Sequence, residues 1–361
     1  MTRPRSASAT VKPPPPPDPT ISPIENAISL SPLSELGPNV FTNTRPQWQP
    51  IGARGIYGGS VIAQCLLAAQ LTVPPNFVVH SMHCYFVLAG NSNIPIIYHV
   101  DLVRSGRSFH TRTVQAKQRG NVIFTTTLSF TIPLSTKFEE GQGVGRVVKH
   151  QPTFPSGVKG PEECENELQV IDRLVKSGRI DEEQAELARA RYGQDPFEFR
   201  SVGVSPDLPQ SPDTPINSVP PAEKVMRQWV RSKSPIKDPL FYNPALAYIS
   251  DSWFIGTVGR VNPEARRDKV GMMVSLDHTI HFHAGEKTRL DEWLLLETRS
   301  SWAGEERGLV RMNVWTQSGE LLAQCLQEGM VRLKDGREGT DVQHAAAGTS
   351  TPKELKESAK L

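Results

Sequence analysis

The chain has 361 residues, 37% hydrophobic and 22% charged, a globular composition with room for one large domain or two medium ones. It contains no run of about 18 apolar residues, which excludes a membrane-spanning helix, and its net charge of +2 gives no sign of a nucleic-acid surface. The four cysteines, Cys65, Cys84, Cys164 and Cys325, form no CxxC pair. We therefore expect reduced, structural thiols in an intracellular protein rather than a disulfide or a metal site.

Composition divides the chain into five parts. Two of them are dense in apolar segments and predict folded units, and a charged, proline-rich linker joins them. The first tail should be stiff and exposed because it contains the five prolines from Pro13 to Pro17. In chain order the parts are a disordered tail (1–22), an N-terminal unit (23–135), a linker with surface helices (136–222), a C-terminal unit (223–335) and a flexible tail (336–361).

Helix and strand patterns follow one another in the same order in both units. Residues 57–70 and 244–257 have helical composition and are apolar on nearly every face, so each helix must be wrapped by other elements. Alternating strands such as IIYHVDLVRS, SFHTRTVQAKQ and LVRMNVWTQ follow, with glycine-containing turns. In the linker, residues 165–176 and 181–191 predict two amphipathic helices, the second one capped by Asp181.

The two units also resemble each other in detail. His80-Ser-Met-His83 corresponds to His278-Thr-Ile-His281, and the turn Gln118-Arg-Gly120 corresponds to Gln317-Ser-Gly319 at nearly the same separation. We interpret this agreement as an internal duplication, the alternative being a coincidence between short strand-turn patterns. A buried helix wrapped by a long antiparallel sheet is the hotdog arrangement. The sequence therefore predicts an α+β double hotdog, with one hotdog in each unit.

Asp251 is the residue that points most clearly to chemistry. It lies within the apolar pattern of residues 244–257, between Tyr248 and Phe254. A carboxylate in such surroundings has to be hydrogen-bonded or to titrate with a shifted pKa. The alternative is a core aspartate that only caps a backbone amide.

Gln327 raises the same question on a strand. Alternation places it on the face of Leu321, Ala323, Cys325 and Gly329, where a side-chain amide needs hydrogen-bond partners. Such an amide can orient a water or donate to an oxyanion, and it can equally satisfy a loop carbonyl.

Ser275 is not placed in a buried site by the same reasoning. Strict alternation puts it on the face of Asp277, Thr279 and His281, opposite the apolar face of the strand. Only a bulge near Leu276 would turn the hydroxyl towards the interior, and the sequence does not show one.

Other chemistries have less support. The chain has no GxSxG, which argues against a hydrolase with a serine nucleophile. The glycine cluster that ends in Gly58 and Gly59 matches no nucleotide-binding motif, and it predicts close packing at a helix start whose amides face an anionic or carbonyl oxygen. His281 and His283 have the spacing of a metal-binding pair, but no third histidine or HExxH accompanies them, so neither a metal nor a cofactor is expected.

Several runs form an ordered set: YGGSVIAQ (57–64), VHSMHCYF (79–86), PIIY (95–98), RSGRSF (104–109), SD (250–251), SLDH (275–278) and QEG (327–329). This set resembles the type II acyl-CoA thioesterases, bacterial and peroxisomal, over residues 23–335 except the middle of the linker. The resemblance implies a double hotdog fold and hydrolysis of fatty acyl-CoA to free fatty acid and CoA.

The resemblance also implies a catalytic trio. The Asp, the Thr or Ser hydroxyl and the Gln of the family fall on Asp251, Ser275 and Gln327. Asp251 would act as base on a water that the Ser275 hydroxyl helps to hold, while Gln327 completes its hydrogen bonding or steadies the thioester oxygen. His281 stands where the family often has Trp, a departure that affects the acyl pocket more than the chemistry.

Substrate contacts are expected at Gly58 and Gly59. Arg104 and Arg107, and with them Arg112, are candidates for binding the CoA phosphates, the alternative being an ordinary solvated strand face.

The last three residues, Ala359-Lys360-Leu361, resemble the peroxisomal address of the SKL type, which implies the peroxisomal matrix as location and the import receptor as partner. The family further suggests a homo-oligomer, whereas composition predicts neither a nucleic-acid partner nor a membrane span. Two other functions stay open. One is a non-catalytic acyl-CoA-binding hotdog protein, against which the intact trio argues. The other is an enoyl-CoA hydratase, which pairs an Asp with a His five residues on, where this chain has Gly256.

Overall fold

The computed structural model describes residues 15–50, 53–139, 141, 145–202, 219–262, 265 and 269–334, and within these ranges it contains seven α-helices and thirteen strands. The helices are α1 (Pro23–Ile28), α2 (Gly58–Gln70), α3 (Leu134–Glu139), α4 (Glu167–Lys176), α5 (Glu182–Gln194), α6 (Tyr242–Ser250) and α7 (Gly256–Val261). The strands are β1 (Leu30–Pro32), β2 (Val40–Asn43), β3 (Val78–Phe86), β4 (Ile97–Ser105), β5 (Phe109–Gln118), β6 (Asn121–Thr131), β7 (Phe197–Ser201), β8 (Met226–Ser232), β9 (Val270–Ser275), β10 (Asp277–Phe282), β11 (Leu294–Gly304), β12 (Arg307–Thr316) and β13 (Leu321–Leu333).

The described strands form one antiparallel sheet in the order β1-β2-β4-β5-β6-β3-β10-β13-β12-β11-β8-β7, and β9 pairs with β13 beside β10. From the middle outwards, the first half reads β3-β6-β5-β4-β2 and the second half reads β10-β13-β12-β11-β8. In both halves the strand at the middle pairs with the last strand of its repeat, and the remaining strands follow outwards in reverse chain order. The predicted double hotdog with two repeats is therefore confirmed.

The two repeats meet where β3 pairs with β10. His83 lies opposite Thr279, and Met82 lies opposite Ile280. The two histidine-containing segments that suggested a duplication are thus neighbours across the joint between the repeats.

Helices α2 and α6 are both buried, as their apolar composition requires. Every residue from Gly59 to Ala69 of α2 and every residue of α6 is buried. The two helices pack against each other, and one core cluster contains Ile62 and Leu66 of α2 together with Leu246 of α6. The repeats therefore share a single core, with the sheet wrapped around the helix pair.

The region predicted to be a linker contains the two expected helices and one strand in addition. Asp181 caps α5 by accepting a hydrogen bond from the backbone N–H of Gln184, as predicted. Strand β7 pairs with β8 at the edge of the sheet, and its residues Phe197 and Phe199 belong to the shared core. A second apolar cluster, which includes Cys164, lies where this region covers the sheet of the second repeat.

The described part of the first tail contacts the folded chain. The backbone N–H of Asp18 donates to Asn26 Oδ1 at 2.8 Å, and Ser22 caps α1. Pro13 and Pro14 and the last three residues, 359–361, lie outside the described residues. All four cysteines are buried and unpaired. In the described part of the chain, no helix combines the length and the apolar character that crossing a bilayer requires.

Candidate active site

Asp251 is the residue directly after α6 and caps its C-terminal end. The prediction of one helix over residues 244–257 is wrong, because α6 ends at Ser250 and α7 begins at Gly256. Between them Trp253 adopts a φ of 60°, a left-handed conformation that an α-helix cannot contain. The break places the Asp251 side chain beside the start of α2, at the contact between the repeats.

The start of α2 holds the Asp251 carboxylate. The backbone N–H of Gly59 donates a hydrogen bond to it, and the positive end of the α2 dipole favours a negative charge there. A Cβ on Gly58 would lie 2.7 Å from Asp251 Oδ2 and 2.7 Å from Phe86 Cε1. A side chain at this position would displace the carboxylate, so the glycine is required by a close approach. The amide of Gly59 thus faces the oxygen of a protein side chain, and a contact of Gly58 and Gly59 with substrate stays a prediction.

Burial raises the pKa of Asp251 from 3.8 to about 6, although the hydrogen bonds from Gln327 and Gly59 both oppose this rise by stabilising the carboxylate. The carboxyl is therefore hydrogen-bonded, as its apolar surroundings require, and its pKa is raised. Near neutral pH the group is mostly ionised and yet close enough to its pKa to exchange a proton, which is the property of a general base.

Gln327 connects β13 to this carboxylate. It is completely buried on the inner face of β13, in the alternation that the sequence predicts. Its Nε2 donates to Asp251 Oδ1 at 2.8 Å and contacts His278 Nδ1 at 3.1 Å. Its Oε1 is buried and has no hydrogen-bond partner among the described residues. A buried acceptor without a partner is costly, so this oxygen is the one atom of the amide that still requires a donor.

The strand that carries Ser275 contains the bulge that alternation alone could not show. Ser275 lies opposite Gly329 of β13, whereas Thr279 lies opposite Leu326. The two pairings differ by one residue, so Leu276 is extra on its strand. Its backbone N–H donates to the carbonyl oxygen of Glu328 at 2.9 Å.

The bulge changes the face on which Ser275 lies. Opposite Gly329, Ser275 is on the face of β13 that also carries Gln327. The prediction that it shares a face with Asp277 and Thr279 is wrong, because the extra residue reverses the alternation. Asp251 and Gln327 are hydrogen-bonded to each other, whereas none of the hydrogen bonds in the described ranges joins Ser275 to either.

His278 and Ser250 complete the cluster and were missed by the sequence analysis. His278 is completely buried, and its Nε2 lies 2.9 Å from Ser250 Oγ. One signal was present, because alternation gives His278 the same face as the apolar Ile280 and Phe282. A histidine at a core position of a strand needs partners on both ring nitrogens.

A cavity of about 140 Å³ lies next to this cluster. Tyr57, Tyr248 and Trp253 line it, together with Arg191 of α5 and Asp195, which follows α5. The Tyr57 hydroxyl lies 2.8 Å from the carbonyl oxygen of Tyr248 and 2.8 Å from Ser252 Oγ, which fixes the ring in the wall. No chemistry was expected in the linker, yet its residues Arg191 and Asp195 border this cavity.

The three arginines considered for CoA lie elsewhere. Arg104 and Arg107 are exposed at the turn from β4 to β5, and β4 is four strands from β10, about 19 Å along the sheet. Their role in binding CoA phosphates stays a prediction. Arg112 is buried and donates to the carbonyl oxygens of Thr72 and Arg104, among others, so its role is structural.

The two histidines considered for a metal lie on the outer face of the sheet. His281 contacts the ring of His83 at 5.5 Å between centroids. His283 Nε2 lies 3.1 Å from Gln324 Oε1.

The sequence matches the family model of the acyl-CoA thioesterase N-terminal domain over residues 44–131 and that of the acyl-CoA thioesterase C-terminal domain over residues 175–331. Acyl-coenzyme A thioesterase 8 from Rattus norvegicus is 34% identical over 313 residues, which cover 86% of this chain and 89% of that protein. This chain belongs to the type II acyl-CoA thioesterase family. The C-terminal match begins within α4, so it includes α5 and β7.

Two other comparisons agree with membership in the type II acyl-CoA thioesterase family. The peroxisomal acyl-coenzyme A thioester hydrolase 1 of Saccharomyces cerevisiae is 28% identical over 336 residues, which cover 86% of this chain and 95% of that protein. The crystal structure of the acyl-CoA thioesterase II TesB2 from Mycobacterium marinum superposes with a TM-score of 0.63 at 29% identity, covering 87% of this chain and 100% of that chain.

The raised pKa of Asp251 predicts a pH dependence of stability. The folded state binds the Asp251 proton more tightly than the unfolded state, so ionisation destabilises the fold as the pH rises from 3.8 through about 6. Between about pH 4 and about pH 7, the free energy of unfolding of the wild type should therefore fall by about 2 kcal/mol relative to Asp251→Asn. Denaturant unfolding of both proteins across this range measures the difference. The exposed Asp101→Asn is the control, and parallel curves for wild type and Asp251→Asn would contradict the assignment.

Proposed function

We propose that this chain hydrolyses fatty acyl-CoA to free fatty acid and CoA by the attack of a water that Asp251 activates. The observation that carries this proposal is the pairing of a half-buried carboxylate of raised pKa with the unpartnered carbonyl oxygen of Gln327. Membership in the acyl-CoA thioesterase family supplies the substrate class.

The water would be held by two acceptors. One of its protons faces the Asp251 carboxylate and the other faces Gln327 Oε1, which is otherwise unpaired. The hydroxyl of Ser275, on the same face of the sheet as Gln327, can donate to the water oxygen. These three contacts direct a lone pair of the water away from the protein and towards the substrate carbonyl.

The reaction then proceeds by addition and elimination. The water oxygen bonds to the thioester carbonyl carbon while Asp251 takes a proton, and the carbonyl oxygen becomes an oxyanion. When the C–S bond breaks, the protonated Asp251 returns the proton to the CoA sulfur, and the fatty acid is released. The carboxylate ends the cycle as it began.

The start of α2 suits the oxyanion. The Gly59 N–H is engaged by Asp251 and the Ser60 N–H donates to the carbonyl oxygen of Tyr57 at 3.2 Å. The donor for an oxyanion would therefore be the N–H of Gly58, the first residue of the helix, which carries no side chain that would screen it. We propose that the thioester carbonyl oxygen faces this end of α2. The acyl chain would then begin at the aromatic cavity beside Tyr57 and Trp253.

Removing the base tests the proposal. Asp251→Asn should lower the rate of hydrolysis about 10²- to 10⁴-fold, because the amide cannot accept the proton of the water. The affinity for acyl-CoA should change little. In the wild type, kcat/KM should rise with pH through an apparent pKa of about 6 and level off above it, because the ionised form is active. A thiol-release assay with a long-chain acyl-CoA measures both, with Asp101→Asn as the matched control. Normal turnover in Asp251→Asn, or binding without hydrolysis in the wild type, would contradict the proposal.

The role of Ser275 is tested by a matched pair of variants. Ser275→Thr keeps the hydroxyl and should keep activity within about threefold, whereas Ser275→Ala should lose roughly tenfold to hundredfold with the loss of one hydrogen bond. Because water is the nucleophile in this proposal, no acyl group should be found on Ser275 by mass spectrometry of the enzyme quenched during turnover. An acyl-Ser275 adduct would replace this mechanism by nucleophilic catalysis.

We further propose that the protein is located in the peroxisomal matrix. Two observations support this location: the sequence ends in Ala359-Lys360-Leu361, a small-basic-Leu tripeptide, and a relative in yeast is named a peroxisomal thioester hydrolase.

The location is tested by an N-terminal fluorescent fusion of the full chain, which should colocalise with a peroxisomal marker. Deletion of Leu361 should make the fluorescence diffuse, because the import receptor reads the terminal tripeptide. Unchanged peroxisomal fluorescence after the deletion would exclude this tripeptide as the address.

A further inference from the structure

His278 has no role in the proposed chemistry, yet it is completely buried in contact with a residue that does. Its two ring nitrogens lie 3.1 Å from Gln327 Nε2 and 2.9 Å from Ser250 Oγ. The Ser250 hydroxyl lies 2.8 Å from the carbonyl oxygen of Ala247. The five groups from Asp251 to Ala247 form a continuous chain of hydrogen bonds.

The direction of each of these hydrogen bonds is determined by the two groups at the ends of the row, the Asp251 carboxylate and the Ala247 carbonyl oxygen, since both only accept. An ionised Asp251 only accepts, so the Gln327 atom at 2.8 Å from it is the amide nitrogen, which uses one hydrogen there. The second hydrogen of this nitrogen points to His278 Nδ1, which must accept. The histidine therefore carries its proton on Nε2 and donates it to Ser250, whose own hydrogen goes to the carbonyl oxygen of Ala247.

This arrangement fixes how the amide of Gln327 faces the site. Both of its hydrogens are used, by Asp251 and by His278, and only its oxygen is free. While Asp251 is ionised, it holds one of the two hydrogens of the amide, and His278 holds the other. Once Asp251 has taken a proton, it can donate to the oxygen of Gln327, and only the hydrogen bond to His278 then opposes a turn of the amide. His278 Nδ1 accepts in both protonation states of Asp251, so it keeps the amide in place throughout the cycle.

We propose that His278 is a positioning residue that holds the carbonyl oxygen of Gln327, and not its N–H, towards the attacking water. The inference rests on the proposed function, because it assigns a partner to the residue that orients the water. It also decides between the two catalytic roles that the sequence left open for Gln327, orienting a water and donating to an oxyanion. With both hydrogens engaged, Gln327 accepts from the water and does not donate to the oxyanion.

His278 itself is not the base. Burial lowers its pKa to about 3, so the ring is neutral at physiological pH. Its only free nitrogen lone pair, on Nδ1, is already engaged by Gln327. This chain of hydrogen bonds therefore orients the Gln327 amide and does not relay a proton.

Two polar variants of similar size separate the positioning role from a packing role. In His278→Asn the side-chain oxygen lies near the position of Nδ1 and can still accept from Gln327. In His278→Gln the amide reaches the position of Nε2 and keeps Ser250 as partner, but no acceptor remains beside Gln327. We expect His278→Asn to stay within about threefold of the wild-type kcat. We expect His278→Gln to lose roughly tenfold to hundredfold in kcat with little change in KM, as for other groups that orient a catalytic side chain. Equal losses in both variants, or a larger loss in His278→Asn, would overturn the proposal.

The pH profile gives a readout that a structural defect does not move. The hydrogen bond from Gln327 favours the ionised Asp251, so the acidic limb of kcat/KM should shift to higher pH in His278→Gln and stay in place in His278→Asn. The other titratable groups that act on Asp251 or are acted on by it, Tyr57, Tyr248 and Cys84, have pKa values that burial raises, so they stay neutral across this range. An unshifted limb in His278→Gln contradicts the inference.

The wild-type protein provides a test that does not depend on how the variants fold. Nitrogen-15 NMR of labelled imidazole rings should show His278 neutral, with its proton on Nε2, from about pH 5 to about pH 8. A proton on Nδ1 overturns the proposal. The proposed function is judged separately: equal activities of the two His278 variants alongside an inactive Asp251→Asn would remove the role of His278 only, whereas a wild type without thioesterase activity would remove the function.

Discussion

The site depends on keeping one carboxylate ionised at the end of a buried helix. Asp251 follows α6 at the edge of the shared core, half-buried, where desolvation alone would favour the protonated acid. Two donors offset that cost, the N–H of Gly59 at the start of α2 and the amide of Gln327 on β13. Because α2 belongs to the first repeat whereas Asp251 and Gln327 belong to the second, the carboxylate is stabilised only when the repeats are packed together. Packing of α2 against α6 thus both completes the core and assembles the site.

The two repeats have similar folds, but only the buried helix of the second repeat is followed directly by a carboxylate. The residue that caps α6 is Asp251, whereas the residue that caps α2 is Leu71. Beyond the end of α2, the buried guanidinium of Arg112 donates to the carbonyl oxygen and the hydroxyl of Thr72, which is a favourable place for a cation next to a helix C terminus. At one end of the helix pair, therefore, lies the Arg112 guanidinium, whose three nitrogens all make hydrogen bonds. The other end carries a carboxylate with an unpaired amide oxygen beside it.

Periodicity predicted the parts of this structure that follow from burial. A helix that is apolar on every face must be covered by other elements, and both α2 and α6 are buried. Strand alternation placed Gln327 on the inner face, and the conflict between Asp251 and its apolar neighbours indicated a perturbed carboxyl. The assignment of Ser275 to the trio came from a family resemblance, since alternation alone placed it on the wrong face.

What periodicity did not predict are the local departures from regular structure. The left-handed Trp253 ends α6 early, and the extra residue Leu276 reverses the face on which Ser275 lies. Both depend on contacts between elements that are distant in sequence, such as the pairing of β9 with β13, which a local pattern does not contain. The same holds for Arg191, since no local signal indicates that a helix between the repeats borders the cavity.

The most direct test of the account is a crystal structure with a long-chain acyl-CoA analogue in which a methylene replaces the thioester sulfur, so that the bond cannot be cleaved. The carbonyl of the analogue should lie at the start of α2. One ordered water should lie within hydrogen-bond distance of both Asp251 and Gln327 Oε1 and face the carbonyl carbon. A carbonyl bound away from Asp251, or one whose carbon is approached by a side chain with no water between Asp251 and Gln327, would contradict it.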